Sequence, residues 1–145
     1  MAAERRAEVT WRGDLMSGEG TIEKVSSGAF GPLDVSWPAR TESPNGKTSP
    51  EELIAAAHAA CFSMALSHSL AQAGTPPERL SVSATVTFVP GTGITSSALE
   101  VEGSVPGVDE AGFREAAAQA KEGCPVSGAL KGNVALSVSA RLAGS

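Results

Sequence analysis

One long run of the chain, from Ser49 to Gly74, is apolar on nearly every side and limits how the rest can fold. Between Leu53 and Leu66 only His58 and Ser63 are polar, so a helix over this span offers no face that suits water. Such a helix has to be covered on all sides. The polar flanks and the many alanines argue against a membrane span. The run therefore predicts a central helix around which the remaining chain is wrapped.

The ends of this helix are marked by residues that start and stop helices. Ser49 is a favourable N-cap, and Pro50 suits the first helical position. Glu52, three residues after the cap, completes a capping box. Gly74, followed by two prolines, is typical of a helix end.

Length and composition favour one soluble domain spanning residues 1–145. Its hydrophobic fraction is 41%, its mean hydropathy is close to zero and its net charge is -5. An acidic chain without a cluster of basic residues is not expected to bind nucleic acid. Because no apolar segment follows the charged residues of the N-terminus, the sequence predicts a cytoplasmic protein without a secretory signal and without a membrane partner.

The remaining segments alternate as strands do, or carry helix caps. Asp109 is the predicted N-cap of a second helix that ends at Gly123, and Pro125 opens a short helical turn. A polar loop over 41–49 leads into the central helix. Strands joined by hairpin-style turns and interrupted by helices predict an α+β fold with antiparallel sheets. The predicted strands cover residues 7–12, 20–26, 33–37, 80–89, 94–105 and 133–142.

The chain has two cysteines, Cys61 in the middle of the central helix and Cys124 at the start of the short turn. A structural disulfide is not expected in a cytoplasmic protein. No CxxC or closely spaced histidine pair accompanies them, so a metal site is not predicted. Two readings stay open: a pair of redox-active or nucleophilic thiols, and two buried thiols without chemistry.

A thiol in an apolar helix has a raised pKa, so a reactive Cys61 would need a cation nearby. Composition does not choose among the candidates. His58 lies one helical turn before Cys61 and is a further candidate for lowering its pKa, although a packed or hydrogen-bonded histidine is the commoner arrangement. The four candidate cations are Arg12, Arg40, Lys47 and Lys131.

Two motifs resemble those of one known family. The run NGKTSPEELIAAAHAACFSMALSHSL at Asn45–Leu70 and the run KEGCPVSGALKGNVALSV at Lys121–Val138 are similar to the osmotically inducible protein C and organic hydroperoxide resistance (OsmC/Ohr) family, and closest to its OsmC branch. The WRGD segment at Trp11–Asp14 and VPGVDEAGF at Val105–Phe113 extend the resemblance over almost the whole chain.

The resemblance implies a thiol-dependent peroxidase without metal or other cofactor. In the family, the cysteine that matches Cys61 attacks an organic hydroperoxide and becomes a sulfenic acid, and the one that matches Cys124 resolves it as an intramolecular disulfide. The implied partners are the hydroperoxide and a dithiol reductant, for which the family points to the lipoyl type. The family also implies an intertwined homodimer with two central helices between the sheets.

The resemblance also implies an arginine and a glutamate at the site. Glu51 matches the family's glutamate, and Arg40 matches its arginine most nearly, with Arg12 as the alternative. Arg40 would hold the thiolate by a charge-assisted hydrogen bond, while Glu51 would orient the guanidinium by a bidentate pair. Without the resemblance, the residues favour Glu51 as a plain first-turn helix cap and Arg40 as a solvated loop charge.

Helix geometry constrains how these residues meet. Glu51 lies ten residues before Cys61 on one helix, which places them about 15 Å apart along its axis. If two copies of the helix pack antiparallel about a two-fold axis, each Glu51 approaches the Cys61 of the other chain. We therefore predict composite sites in a C2 dimer.

The residues leave two rival functions open. One is a non-enzymatic stress or ligand-binding protein on the same scaffold, with inert thiols. The other is a redox sensor whose disulfide changes partner binding. If the protein is a peroxidase, a set of apolar side chains would favour alkyl or lipid hydroperoxides by lining the approach to the thiol, namely Phe30, Leu53, Ile54, Phe62 and Met64.

Overall fold

The computed structural model describes residues 2–144, which form two compact units that divide in the sequence between Leu53 and Ile54. The α+β class predicted from the sequence is confirmed, with two three-stranded sheets and one long helix. The elements in chain order are β1 (Ala7–Arg12), β2 (Glu19–Val25), β3 (Leu33–Val35), α1 (Trp37–Thr41), α2 (Pro50–Gln72), β4 (Arg79–Val89), β5 (Gly93–Ser104), α3 (Glu110–Gly123), α4 (Pro125–Leu130) and β6 (Ala135–Leu142).

The N-terminal unit is an antiparallel sheet with a small core. β2 pairs with β1 on one side and with β3 on the other. Among its described hydrophobic residues only Ile22 is fully buried, while Val9 is 60% and Met16 66% exposed. A sheet needs an apolar face against another layer to be stable, and this unit leaves much apolar surface uncovered.

The third predicted strand is shorter than expected, and a helix follows it. Instead of running to Trp37, the strand ends at Val35, and α1 begins at Trp37. Ser36 caps α1, because its Oγ accepts a hydrogen bond from the Ala39 N–H at 3.1 Å. Pro38 favours the first turn of a helix. Ser36 followed by Pro38 indicates the start of a helix, whereas the apolar run over 33–37 predicts a strand that continues to Trp37.

The long helix α2 begins where the capping residues predict. The Glu52 N–H donates to the Ser49 Oγ at 3.2 Å. Glu52 does not close the reciprocal half of the box, because its carboxylate accepts a hydrogen bond from the Thr48 hydroxyl at 2.8 Å. Ser49 is thus the N-cap. The Glu52 carboxylate accepts from the Thr48 hydroxyl instead of from the Ser49 backbone N–H, as a capping box would require.

One stripe of α2 enters the core of the C-terminal unit. His58, Phe62, Leu66 and Leu70 follow one another at intervals of four residues, and all are buried. Residues four apart lie on the same face of a helix. The three apolar members belong to one core cluster with side chains from β5 and α3, including Leu99, Val101 and Phe113.

Another stripe of α2 is exposed in the single chain. Ala56, Ala57, Ala60 and Met64 are exposed, Met64 by 72%. The expectation that this helix is covered on all sides is therefore not met within one chain. Among the described helices, α2 alone is long and apolar enough to cross a membrane, with 22% of that window buried, but a core helix of a soluble protein passes the same test.

The C-terminal sheet has the order β4-β5-β6 and corrects one expectation. β4 and β5 form the predicted antiparallel hairpin, but β5 and β6 are parallel. The chain between β5 and β6 runs through α3 and α4, and a helical crossover returns the chain to the end of the sheet where β5 began. The expectation of purely antiparallel sheets was wrong for this pair, because it considered only hairpin turns.

The two C-terminal helices follow the predicted caps. The Asp109 carboxylate accepts a hydrogen bond from the Gly112 N–H at 2.7 Å and so starts α3, which buries Phe113, Ala117 and Ala120. α3 ends at Gly123, and Cys124 lies between α3 and α4 as the N-cap residue of α4. Cys124 is thereby held at a sharp junction between two helices.

Candidate active site

The structure brings the two cysteines together although they are far apart in the sequence. Cys61 lies in the middle of α2 and is partly buried, whereas Cys124 at the start of α4 is only 1% exposed. Both are free thiols, Cys61 packs against the core cluster that contains Cys124, and each thiol shifts the pKa of the other. Two thiols brought together in this way can form a disulfide where their Cα and Cβ positions allow the S–S bond.

The two thiols have different electrostatic surroundings. Burial raises the pKa of Cys61, the neighbouring Cys124 thiol raises it further, and the Val126 N–H lowers it in part. Burial also raises the pKa of Cys124, but the Cys61 side chain, the Ser127 N–H and hydroxyl and the Val126 N–H together bring it below its ordinary value. Within this unit Cys124 is therefore the more readily ionised thiol, and Cys61 needs a further positive charge to react as a thiolate.

His58 is buried and hydrogen-bonded, and it is not a cation beside Cys61. Its Nδ1 lies 2.6 Å from the Ser97 Oγ and its Nε2 lies 2.8 Å from the Ser127 Oγ. Burial lowers the pKa of His58, so the imidazole is neutral near pH 7. The interpretation of His58 as a charge that lowers the Cys61 pKa is therefore wrong, and the packed, hydrogen-bonded alternative is the one observed.

Burial of a neutral histidine makes stability depend on pH. Below about pH 6.5 the imidazole of the unfolded chain binds a proton, whereas the folded His58 stays neutral because its pKa is lowered. The unfolded state then binds more protons, so the free energy of unfolding decreases as the pH falls through this range. We expect wild-type protein to lose up to about 1.4 kcal/mol per pH unit more than His58→Gln.

Urea unfolding at a series of pH values from neutral to mildly acidic measures this difference. His68→Gln, the same substitution at an exposed position of α2, provides the matched control. Equal slopes for wild-type protein and His58→Gln would show that His58 titrates alike in the folded and unfolded states.

Arg40 and Glu51 form a bidentate ion pair within the N-terminal unit. The Arg40 Nη2 donates to the Glu51 Oε2 at 2.7 Å, and Nε donates to both carboxylate oxygens at 3.0 and 3.1 Å. The Glu51 side chain is 9% exposed and that of Arg40 27% exposed. Paired donors of this kind fix the plane of the guanidinium. The predicted Arg40–Glu51 pair is thus present, although its role in a reaction remains a prediction.

Trp37 supports the same arginine and was not singled out in the sequence. It lies three residues before Arg40 on α1, and the Arg40 guanidinium carbon lies 5.8 Å from the centre of its ring. A cation over an aromatic ring is attracted by the negative face of the ring. The sequence WPAR contains this three-residue spacing, but the spacing brings Trp37 beside Arg40 only when the segment is helical.

Three other residues that the sequence singles out belong neither to the pair of thiols nor to the Arg40–Glu51 ion pair. Arg12 is exposed at the end of β1, opposite Glu19. Phe62 is fully buried in the core cluster and does not line an approach to a thiol. Lys47 lies 4.0 Å from a Glu19 carboxylate oxygen. Across residues 2–144, no three His, Cys, Asp or Glu side chains are grouped as metal ligands.

Two free thiols on α2 and at the start of α4 that shift each other's pKa form a site suited to dithiol–disulfide chemistry. Comparison with known proteins assigns the chain to a family. The family model described as "OsmC-like protein" matches residues 43–139. The chain belongs to this family, which confirms the resemblance seen in the sequence.

Named relatives and solved structures agree with this assignment. The chain is 41% identical over 139 residues to the proteins named Peroxiredoxin OsmC of Escherichia coli (strain K12) and of Shigella flexneri, covering 94% of this chain and 96% of each relative. The organic hydroperoxide resistance protein OhrB of Bacillus subtilis is 26% identical with a TM-score of 0.72, over 94% of this chain and 98% of that one. The corresponding protein of Elizabethkingia anophelis is 26% identical with a TM-score of 0.69, over 97% and 100%.

Proposed function

We propose that the protein is a thiol-dependent peroxidase that reduces organic hydroperoxides through Cys61 and Cys124. The observation that carries the proposal is the proximity of these two thiols, which come from distant parts of the sequence, meet at one core cluster and shift each other's pKa. The names of the relatives, peroxiredoxin and organic hydroperoxide resistance protein, agree with the enzyme class predicted from the sequence.

The chemistry divides between the two sulfurs. The Cys61 thiolate attacks the terminal oxygen of the hydroperoxide, the O–O bond breaks, and the alcohol leaves after taking up a proton. Cys61 is then a sulfenic acid. The Cys124 thiolate attacks the Cys61 sulfur, the S–O bond breaks, and hydroxide leaves as water with one proton. A dithiol reductant returns the disulfide to two thiols by exchange.

The thiolate that starts this cycle requires a cation, and the Arg40–Glu51 pair is the proposed source. Burial raises the pKa of Cys61, and a guanidinium offsets this by favouring the charged form. Glu51 is ten residues from Cys61 along α2, about 15 Å in axial rise, so the pair is proposed to act on the Cys61 of a second chain. Antiparallel α2 helices bring each Glu51 level with the partner's Cys61 when they cross near Ala56, midway between the two positions.

The exposed apolar surface supports this homodimer. The stripe of Ala56, Ala57 and Ala60 lies at the required crossing point, and small side chains allow helices to approach closely. The N-terminal unit exposes six of the eight large hydrophobic residues that are exposed among the described part of the chain. Surface of this kind marks an interaction site. A second copy that covers both regions gives the intertwined dimer expected from the sequence.

Substrate and location follow the same proposal. An alkyl or lipid hydroperoxide is favoured over hydrogen peroxide because the residues around the α2 thiol are mainly apolar, as in the run AACF at Ala59–Phe62. The named relatives favour a soluble protein, and we propose the cytoplasm, where a dithiol reductant of the lipoyl type is the proposed electron donor. No metal or other cofactor is part of the proposed cycle.

Turnover with a lipoyl dithiol tests the proposal. We expect cumene hydroperoxide and dihydrolipoamide to support many turnovers per chain, because the Cys61–Cys124 disulfide has to be reduced in every cycle. Stopped-flow measurement of peroxide consumption follows the reaction, and hydrogen peroxide at the same concentration should react more slowly.

The same assay separates the rival functions. An inert binding protein would leave both thiols unmodified after one equivalent of cumene hydroperoxide. A redox sensor would form the disulfide once but would not be reduced fast enough by dihydrolipoamide to turn over. Either result would contradict the proposed peroxidase.

A further inference from the structure

The buried network of Ser97, His58 and Ser127 joins three elements next to the two thiols and has no part in the cycle described above. Ser97 lies on β5, His58 on α2 one turn before Cys61, and Ser127 on α4 three residues after Cys124. Their exposed fractions are 0%, 0% and 2%. The network therefore links the helix turn that carries Cys61 to the helix turn that carries Cys124.

A fully buried polar bridge is retained only when each group finds a partner, because an unpaired buried polar atom costs free energy. Here both imidazole nitrogens have a hydroxyl partner, at 2.6 and 2.8 Å. Among the described residues no buried side-chain nitrogen or oxygen lacks a hydrogen bond. The bridge is thus complete and fixes the imidazole at both ends.

We propose that His58 is a positioning residue for the resolving step: held by Ser97, it donates from Nε2 to Ser127 and so leaves the Ser127 hydroxyl free to donate to the Cys124 sulfur. This inference rests on the proposed peroxidase cycle, in which Cys124 attacks the oxidised Cys61. It assigns the network to that second step rather than to the attack on peroxide.

The protonation of the imidazole follows from counting donors. A neutral imidazole has one N–H and one acceptor nitrogen. If Nδ1 carried the proton, Nε2 would have to accept the Ser127 hydroxyl proton, and that hydroxyl would have nothing left to give the sulfur. If Nε2 carries it, Ser97 donates to Nδ1 and Ser127 is free to donate onward. Ser127 is buried in the first turn of α4, three residues after the N-cap Cys124, and its hydroxyl lowers the pKa of that thiol, as a donor to the sulfur would.

The consequence for the chemistry is confined to the attack by Cys124. A hydrogen bond to the Cys124 thiolate holds the sulfur beside Cys61 and stabilises its charge before the S–O bond of the sulfenic acid breaks. The attack of Cys61 on peroxide comes earlier and does not need this donor. Loss of the Ser127 hydroxyl should therefore slow disulfide formation while leaving sulfenic acid formation nearly unchanged.

Ser127→Ala tests the proposal, with Ser127→Thr as the conservative rescue and Ser63→Ala as the matched control. The Ser63 hydroxyl donates to the Ala59 carbonyl on α2 and is outside the network. After one equivalent of cumene hydroperoxide, quenched samples trapped with dimedone measure sulfenic acid and disulfide by mass. We expect Ser127→Ala to form sulfenic acid at the wild-type rate and disulfide about tenfold more slowly, with both rates normal in the other two variants.

A second measurement does not depend on peroxide chemistry. Dithiobis(nitrobenzoate) places a thionitrobenzoate group on the more accessible Cys61, and attack by Cys124 then releases it as a coloured thiolate. The second release should also be about tenfold slower in Ser127→Ala. If peroxide gives no sulfenic acid, the proposed function fails, yet this measurement still tests the network. An unchanged second release in Ser127→Ala would overturn the inference.

The protonation state of His58 gives a direct spectroscopic test. Nitrogen chemical shifts of the imidazole distinguish the two neutral forms, and His68→Gln assigns the signals. We expect the reduced protein to hold His58 with its proton on Nε2. A proton on Nδ1, or on both nitrogens, would overturn the assignment.

Discussion

Cys61→Ser should abolish peroxide consumption, because it removes the sulfur that is proposed to form the first bond to oxygen. A hydroxyl in an apolar helix, without a base beside it, is not a nucleophile near pH 7. The loss is expected to reach the uncatalysed rate, at least about a thousandfold below wild type. Stopped-flow consumption of cumene hydroperoxide with dihydrolipoamide measures it.

Cys124→Ser is the matched variant and should behave differently. Cys61 remains, so one equivalent of hydroperoxide should still be consumed and leave a sulfenic acid that dimedone traps. Sustained turnover should stop, since no second thiol resolves that acid. If Cys61→Ser keeps wild-type turnover, or if Cys124→Ser loses the first oxidation as well, the assignment of the two roles is wrong.

Arg40→Ala should reduce the rate of the first oxidation by about a hundredfold, the usual loss when one preorganised donor to a developing charge is removed. The remaining thiol would keep the pKa raised by burial, so its reaction should need a higher pH. Rates of Cys61 oxidation across neutral and alkaline pH measure both effects. Arg12→Ala is the control; if it, rather than Arg40→Ala, collapses the rate, Arg12 is the arginine of the site.

Mixing of chains then decides whether the site is composite. A heterodimer of one Arg40→Ala chain and one Cys61→Ser chain contains one intact site only if Arg40 acts on the partner's thiol, and should recover about half of the wild-type rate. In a heterodimer of one wild-type chain and one Arg40→Ala/Cys61→Ser chain, one composite site lacks Arg40 and the other lacks Cys61, so this heterodimer should be inactive. Activity in the second heterodimer but not the first would place Arg40 and Cys61 in the same chain.

Local signals predicted most of the elements. Ser49 and Asp109 accept the capping hydrogen bonds that their positions indicate. The strict alternation along β4 and β5 gave the hairpin, because a period of two residues specifies which face each side chain takes. These features depend on neighbours close in the sequence, and for that reason sequence reasoning found them.

Features that depend on distant neighbours were missed or left open. The parallel pairing of β5 with β6 is set by the helical crossover between them and not by either strand. The partners of His58 are 39 and 69 residues away, so spacing within α2 could not show that two serines hold it. The Arg40–Glu51 pair was expected from the family resemblance, since a charge in a polar loop gives no sign of its partner.

The N-terminal sheet, with Ile22 as its single fully buried apolar side chain among those described, also bears on how the chain matures. Until the proposed second copy covers them, a newly synthesised chain would expose this surface and the alanine stripe of α2. Such species aggregate readily. The yield of native protein would then depend on the relative rates of dimer formation and aggregation. Faster synthesis increases both rates, because it raises the concentration of unpaired chains.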